Sequence, residues 1–525
     1  MANQISSIGD ISRVHARQRG DQRAMVFQDR EWTYADLHSE SNRVAQAMLA
    51  EGVRPQDRVA FLDKNTPEYF SFLFAAGKVN AVTVAVNWRL APPEMEYILA
   101  NAQARVLLVG EDFLAHLSKM DLSTVSKVVV IGHSDSHESY QDWAGRHDDI
   151  DPALAWAADD TCYQLYTSGT TGLPKGVELT NGNFFEMLPA ASHEWGFDST
   201  SVNLVAMPLF HIAGSGWGVV GLYNGGQNIL LRDVDPAEIL RVIPTYGVTN
   251  ALLVPAVMQF LLATPGIDDT DFSTMRRIVY GASPITEEVL VGSMKAMGCE
   301  FVQAYGLTET TGGVTILRAD DHDPGGPNAH LLRSAGKPWG DVELRIVDPV
   351  SLQDRDEGEV GEVWCRTVQN MKGYWANPQA TDEAFPEGRD EAGRGWFRTG
   401  DAGYLRDGFL FIHDRVNDMI VSGGENVYPA EIENVLMGHE AVADCAVIGV
   451  PHERWGETVK AVIVAAGGAD PSEADLIAYC KERLAGYKCP TSVDRTEAIP
   501  RNPSGKILKT ELREPYWEGR ERFVN

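Results

Sequence analysis

The strongest constraint on how this chain can fold is the alternation of short β-prone runs with helical patterns along its first part. Val59-Ala-Phe-Leu62, Ala81-Val-Thr-Val-Ala-Val86, Arg105-Val-Leu-Leu-Val109 and Val128-Val-Val-Ile131 read as strands. Helical patterns lie between and before them. Thr33-Tyr-Ala-Asp36 has the form of a capping box opening a helix through Met48, and Thr66 caps the next helix with Pro67 at its first position. Strands that alternate with helices predict a largely parallel sheet with helices on its faces, an α/β class. With 525 residues the chain exceeds one compact core, so at least two units are expected.

Further along, 134–160 is rich in acids and poor in aliphatics, and reads mainly as exposed connection. From Val342 to Phe411 strands dominate, with turns at Asp356-Glu-Gly358 and Arg406-Asp-Gly408, predicting a small β-subdomain. The last ~110 residues read as a separate α+β unit of ordinary domain size. There Glu431 to Met437 is helical, Ala446–Val450 and Val459–Val464 are strands, and Ser472-Glu-Ala-Asp475 caps a helix through Leu484.

The net charge of −29 argues against nucleic-acid binding and against docking on anionic lipid by bulk electrostatics. Any anionic ligand must therefore be held by local cations. The six cysteines are scattered with no C-x-x-C pair, which fits reduced thiols rather than a disulfide framework or zinc site. The stretch Met1-Ala-Asn-Gln-Ile-Ser6 lacks a signal-peptide pattern, Phe523-Val-Asn525 is no peroxisomal address, and no apolar run approaches bilayer length. A cytoplasmic protein without an integral membrane segment is expected.

Tyr166-Thr-Ser-Gly-Thr-Thr-Gly-Leu-Pro-Lys-Gly-Val177 is the densest local signal. Its glycines allow the backbone to wrap an anion, and Ser168, Thr170, Thr171 and Lys175 supply donors. Pro174 before Lys175 and Gly176 after it exclude a Walker A loop. The run is either a polyphosphate-holding loop or a polar surface turn. There is no G-x-S-x-G nucleophile elbow. Gly216-Trp-Gly-Val-Val-Gly221 formally matches a dinucleotide fingerprint, but it lacks an assured strand–glycine–helix context and is rejected.

The run resembles the phosphate loop of the adenylate-forming superfamily, which comprises acyl-CoA synthetases, peptide-synthetase adenylation domains and luciferases. Other motifs follow in that family's order: Met207-Pro-Leu-Phe-His211, Val279-Tyr-Gly-Ala-Ser283, Gln303-Ala-Tyr-Gly-Leu-Thr-Glu309, Trp396-Phe-Arg-Thr-Gly-Asp401, Asp414-Arg-Val-Asn-Asp418, Ser422-Gly-Gly-Glu-Asn426 and Pro500-Arg-Asn-Pro-Ser-Gly-Lys506. The resemblance implies a large N-terminal domain over 1–414, with mainly parallel sheets and a small β-subdomain. A mobile α+β C-terminal domain over 415–525 would carry a catalytic lysine. It also implies ATP, Mg2+ and coenzyme A as cofactors and co-substrates, a small carboxylic acid as substrate, and a possible homodimer.

By the same resemblance, Thr167, Ser168, Gly169, Thr170, Thr171, Gly172 and Lys175 hold phosphates. Thr308 meets the α-phosphate, and Glu309 is the magnesium ligand, a hard oxygen donor suited to that ion. Gly281, Ala282, Ser283, Ala304, Tyr305 and Gly306 line the nucleotide and acyl site, with Tyr305 against adenine. Asp401 accepts the two ribose hydroxyls with its two oxygens, and Arg415 adds a donor. Lys506 bridges carboxylate and α-phosphate, while Ser422, Gly423, Gly424 and Glu425 reach the incoming thiol after rotation about Asn417. His211, read as ending an apolar strand, gates the carboxylate pocket. Read alone, most of these residues are ordinary turn, core or surface positions; the ordered set gives them their roles.

From His211 to Leu231 there is no acidic residue to bind a substrate ammonium, and the stretch after Lys506 leaves no room for a carrier domain. Both oppose a peptide-synthetase module. The presumed pocket segments 211–217, 251–257, 281–283 and 303–306 contain no Lys or Arg, so a second substrate carboxylate is not expected. An acyl-CoA synthetase for a medium- or long-chain fatty acid is the resulting expectation. The alternatives are an aryl- or polycyclic-acid ligase of the same superfamily, or a non-catalytic ATP-binding protein.

Overall fold

The computed structural model describes residues 4–167, 173–283, 285–422, 425–452, 454–501 and 507–518, leaving aside the side chains of 414, 415, 417, 421, 425 and 426. Two large sheets form the N-terminal part. The first runs, in spatial order, Gly373–Tyr374, Lys175–Thr180, Thr161–Thr167, Val82–Ala85, Arg58–Leu62, Val106–Gly110, Lys127–Ile131, Glu138–Ser139. Thr161–Thr167 and the strands beyond it are parallel, while Lys175–Thr180 folds back on Thr161–Thr167 and pairs with Gly373–Tyr374.

The second sheet runs Lys337–Pro338, Gly312–Leu317, Glu300–Leu307, Arg277–Gly281, Asn250–Leu253, Val202–Val205, Gln227–Leu230, Arg23–Phe27, Arg30–Thr33. It is parallel in the middle and antiparallel at both ends.

Helix Pro67–Lys78 is apolar nearly all round, with Tyr69, Phe70, Phe72, Leu73 and Phe74 essentially inaccessible. Such a helix is stable only between two layers. It packs against the glycine-rich helix Ile212–Tyr223: a β-carbon on Gly218 would come within 2.5 Å of the Phe70 ring. The glycines of the rejected dinucleotide pattern thus lie inside a helix, where they permit close packing.

The expected N-terminal strands occur to within a residue or two, the two C-terminal ones are longer than expected, at Val442–His452 and Gly456–Ala465, and Thr33 and Asp36 form the reciprocal capping box that opens Tyr34–Ala50. Thr66 stands at the N-cap of Pro67–Lys78 but makes no side-chain cap bond. The stretch 134–160 is less exposed than its composition predicts. Glu138–Ser139 joins the sheet edge, and Ser139 caps a short helix, Tyr140–Gly145, that buries Tyr140 and Trp143. Two aromatics outweigh the surrounding acids there, because burying each removes a large apolar surface from water.

The strand-rich region forms a four-stranded antiparallel sheet, Glu343–Val347, Gly361–Arg366, Phe397–Arg406 and Phe409–Arg415. A further sheet contains Ile420–Ser422, Glu425–Val427, Val442–His452, Gly456–Ala465 and Ser492–Arg495, flanked by helices Pro429–Met437, Glu473–Lys481 and Lys509–Trp517. It has its own apolar core around Ile420, Leu436, Val447, Ile463 and Leu476. No helix among the described residues is long and apolar enough to cross a membrane.

Candidate active site

Three sheets meet where the strand Glu300–Leu307 ends. Gly281 and Ala304 are cross-strand partners, and a β-carbon on Gly281 would fall 2.1 Å from the Ala304 carbonyl oxygen, so only glycine fits. Gly306 is equally constrained: a β-carbon there would lie 1.8 Å from the Gly312 carbonyl oxygen. Ala282, just past the strand, has φ of +65°, a left-handed conformation unfavourable for a residue with a side chain and frequent at functional turns. Ser283 follows it, half-buried.

Tyr305 and Glu309 are close in sequence and each organises one polar centre. The Tyr305 hydroxyl donates to Asp401 Oδ2 at 2.7 Å, joining the residue expected against adenine to the one expected on the ribose. Asp401 is only 7 % exposed, and its N–H donates to the Thr399 hydroxyl. The turn before it is held by Glu362, which accepts from Arg398 Nε at 2.9 Å and from the Gly400 N–H at 3.2 Å. Sequence reasoning missed Glu362; its spacing carries no local signal, and only the pairing of Gly361–Arg366 with Phe397–Arg406 brings it there.

Thr308–Thr310 is one turn of 3-10 helix. It buries Glu309, whose Oε1 accepts from the Thr167 hydroxyl at 3.3 Å and from the Tyr374 hydroxyl at 3.1 Å. Thr308 opens that turn, half-buried. Thr167 and Lys175 are cross-strand partners at the loop end of the hairpin formed by Thr161–Thr167 and Lys175–Thr180. The phosphate-loop residues Ser168, Gly169, Thr170, Thr171 and Gly172 between them lie outside the described residues. Lys175 Nζ lies 5.0 Å from the Tyr374 ring centroid, a cation–π contact.

His211 does not end a strand. The strand stops at Val205, and His211 is the extended residue immediately before helix Ile212–Tyr223. The short apolar turn between them absorbs the residues that read as strand. Burial, with a smaller contribution from Arg89, pushes its imidazole down to about 4, so it is neutral near pH 7. Its ring packs on Phe210 at 4.5 Å, and among the described residues its Nε2 has no hydrogen-bond partner.

Behind Ala304 stand three buried tryptophans, with ring centroids 5.7 Å (Trp195–Trp217) and 6.0 Å (Trp195–Trp339) apart. A β-carbon on Gly313 would touch both the Ala304 methyl, at 3.4 Å, and Trp195 Cζ2, at 3.8 Å.

Of the C-terminal candidates, Arg415 is tied to this cluster through its backbone. Arg415 ends Phe409–Arg415, its backbone opposite Asp401, and Ser422 pairs with Gly456 and Glu425. Gly423, Gly424, Lys506 and the side chains of Arg415, Glu425 and Asn417 lie outside the description. On either side of Lys506, Arg501 bridges Ile507. A cavity of about 690 Å³ lined by Arg276, Cys299 and His322 sits at the amino ends of the strands, away from all these residues. Ligands of parallel sheets bind at the carboxyl ends.

This fold and this site define an AMP-binding enzyme. The chain belongs to that family: the AMP-binding enzyme model matches residues 12–375 and the AMP-binding enzyme C-terminal domain matches 431–506. Among relatives, it is 40% identical over 529 residues to the fatty acid–[acyl-carrier-protein] ligase ScoC of Streptomyces coeruleorubidus, covering 99% of each chain. It is 38% identical to a feruloyl-CoA synthase of an Amycolatopsis species, covering 92% of this chain and 94% of that one. It is 37% identical to the long-chain-fatty-acid–CoA ligase FadD13 of Mycobacterium tuberculosis, covering 92% and 93%.

The anthranilate CoA ligase AuaEII with anthranoyl-AMP superposes with a TM-score of 0.87 at 28% identity, over 97% of both chains. ATP-bound MatB from Rhodopseudomonas palustris gives the same TM-score and identity over 97% and 99%. The protein is an adenylate-forming acid–thiol ligase.

Proposed function

We propose that the protein activates a medium- or long-chain fatty acid with ATP to an acyl-adenylate, releasing pyrophosphate, and passes the acyl group to the thiol of coenzyme A, releasing AMP. The observation that carries this reading is the strand end at 304–309. It gathers a buried carboxylate beside the phosphate-loop hairpin and a second carboxylate bonded to a tyrosine. These suit a triphosphate and a ribose respectively, next to a half-buried methyl facing aromatic side chains.

Glu309 fits a magnesium site. It is a hard oxygen donor, both of its described hydrogen bonds fall on Oε1, and no described lysine or arginine pairs with it. Among the described residues no group of three acidic, His or Cys side chains forms an all-protein cage. That suits an ion held by one carboxylate together with substrate phosphates. Such an ion would neutralise phosphate charge. Thr167 orients Glu309, Thr308 faces the α-phosphate, and Lys175 faces the outer phosphates. Asp401 accepts the ribose diol. Neutral His211 borders the carboxylate pocket without repelling apolar chains. Lys506, Arg415 and the Ser422–Glu425 loop keep the roles set out above, brought in turn by rotation of the C-terminal domain. The six unpaired thiols support a reducing, cytoplasmic setting.

A second reading concerns the acceptor. The relative that aligns over 99% of both chains is named for an acyl carrier protein rather than coenzyme A. The deciding experiment is carboxylate-dependent ATP–pyrophosphate exchange over aliphatic, aromatic and polycyclic acids, followed by single-turnover transfer to coenzyme A or to a holo acyl carrier protein. Aliphatic acids of eight or more carbons should exceed benzoate by about tenfold or more, the scale of one lost apolar contact. Benzoate as best acid would overturn the fatty-acid assignment, and transfer only to the carrier protein would replace the acceptor.

A further inference from the structure

We propose that Tyr374 is a positioning residue for adenylation, coupling the phosphate-loop lysine to the magnesium-ligand carboxylate; this rests on the function proposed above. Three observations converge on it. Its hydroxyl donates to Glu309 Oε1 at 3.1 Å, its ring carries Lys175 Nζ at 5.0 Å, and its backbone extends the hairpin that bears the loop. One side chain therefore touches both the cation and the anion that must close around a triphosphate.

The backbone bearing this side chain is fixed on every side. Gly373 pairs with Glu178 and Tyr374 with Val177, and the Trp375 N–H donates to the Gly176 carbonyl at 2.7 Å. The Tyr374 N–H donates to the Thr381 hydroxyl at 2.9 Å. Next to it, the Trp375 ring lies 3.3 Å from the guanidinium carbon of Arg58, which is itself paired with Glu178 at 2.8 Å, and its indole N–H donates to the Asn101 carbonyl at 2.9 Å. A tyrosine clamped in this way holds its hydroxyl at a set place. By occupying Oε1, it and Thr167 direct the other oxygen of Glu309 towards a cation. A cation over the ring face also makes the phenol a stronger donor, since it withdraws density from the oxygen.

The test uses the full-length enzyme with Tyr374→Phe, which deletes only the hydroxyl, and Tyr374→Leu, which also removes the ring. Binding of Mn2+ in the presence of α,β-methylene-ATP is followed by the electron paramagnetic resonance signal of the free ion. The two half-reactions are followed separately. Tyr374→Phe should weaken Mn2+ binding by about ten- to a hundredfold, the scale of a hydrogen bond to a charged group, and shift the Mg2+ activation curve of pyrophosphate exchange by a similar factor. Thioester formation from supplied acyl-adenylate should stay within about twofold, because there the thiol displaces AMP from the acyl carbon, with no bond broken at phosphorus and no pyrophosphate to hold. Tyr374→Leu should additionally weaken binding of the ATP analogue without metal.

Mn2+ affinity unchanged in Tyr374→Phe, or equal losses in both half-reactions, would overturn the proposal. If no acid supports exchange in the wild type, the proposed function falls, while the Mn2+ titration still decides the role of Tyr374.

Discussion

Ala304 places a half-buried methyl on what we propose is the acyl side of its strand. Its surroundings are close-packed: a β-carbon on Gly281 would clash with the Ala304 carbonyl, and one on Gly313 would touch the Ala304 methyl and Trp195. Trp195 is held from below, since Asn250 Nδ2 donates to its carbonyl at 3.0 Å. Acids that are slim beside the carboxyl group should therefore be favoured over those with a ring attached directly. Ala304→Gly should raise kcat/KM for benzoate relative to octanoate by ten- to two-hundredfold at most, or about 1–3 kcal/mol, the range of one methyl in a pocket. Measuring octanoate, palmitate and benzoate on both proteins checks this, and no relative gain for benzoate would count against the steric account.

At the scale of elements, the contrast lies between what a few neighbouring residues decide and what distant pairing decides. The box at Thr33–Asp36 was legible because both partners lie within one turn. The glycine-rich motifs were legible because close backbone approach at Gly281 and Gly306 tolerates only glycine. The two-residue strand Gly373–Tyr374 was not legible. It exists only because Lys175–Thr180 offers an open edge, and neither propensity nor period marks so short a segment. Glu362 escaped for the same reason, and the burial of Tyr140 and Trp143 was hidden under acidic composition.

The C-terminal unit bears the other testable division of labour. Lys506→Ala should slow acyl-adenylate synthesis by two or more orders of magnitude, roughly 3–4 kcal/mol of lost transition-state electrostatics. Reaction of supplied acyl-adenylate with the thiol should be nearly normal. Equal loss in both steps would remove Lys506 from adenylation.

Over the whole molecule, acid acts through a few buried groups. Burial, helped by Lys78, pushes His38 down to about 4, and burial with Arg89 does the same to His211. An unfolded histidine takes up its proton near pH 6.5. Between pH 6.5 and 4 the unfolded chain therefore binds more protons at both positions, and stability falls as pH falls. Asp63 opposes this: burial, against Arg232, raises it to about 6, so the folded chain holds its proton first and gains stability on acidification. Burial also pushes His15 and His322 down and Glu40 up, so four groups that cost stability outweigh two that add it, and the thermal midpoint should drop from pH 7 to pH 5. His211→Gln should shallow that drop and Asp63→Asn should steepen it. A midpoint that rises on acidification would reverse the sign.

The carboxylates and hydroxyls of the site come from Thr167, Glu309, Tyr374 and Asp401, contributed by three separate sheets. During synthesis, no two of these can meet until the chain has emerged past Glu309, and the set is complete only past Asp401, by which time both large sheets have been made. Nucleotide can therefore give no help to the early stages of folding, because a ligand stabilises only a state that already contains its binding site. The large sheets must hold together without it, on apolar packing and on buried bonds such as those from Asn65 to the Met207 and Leu231 carbonyls, which accounts for a helix as thoroughly buried as Pro67–Lys78 between them.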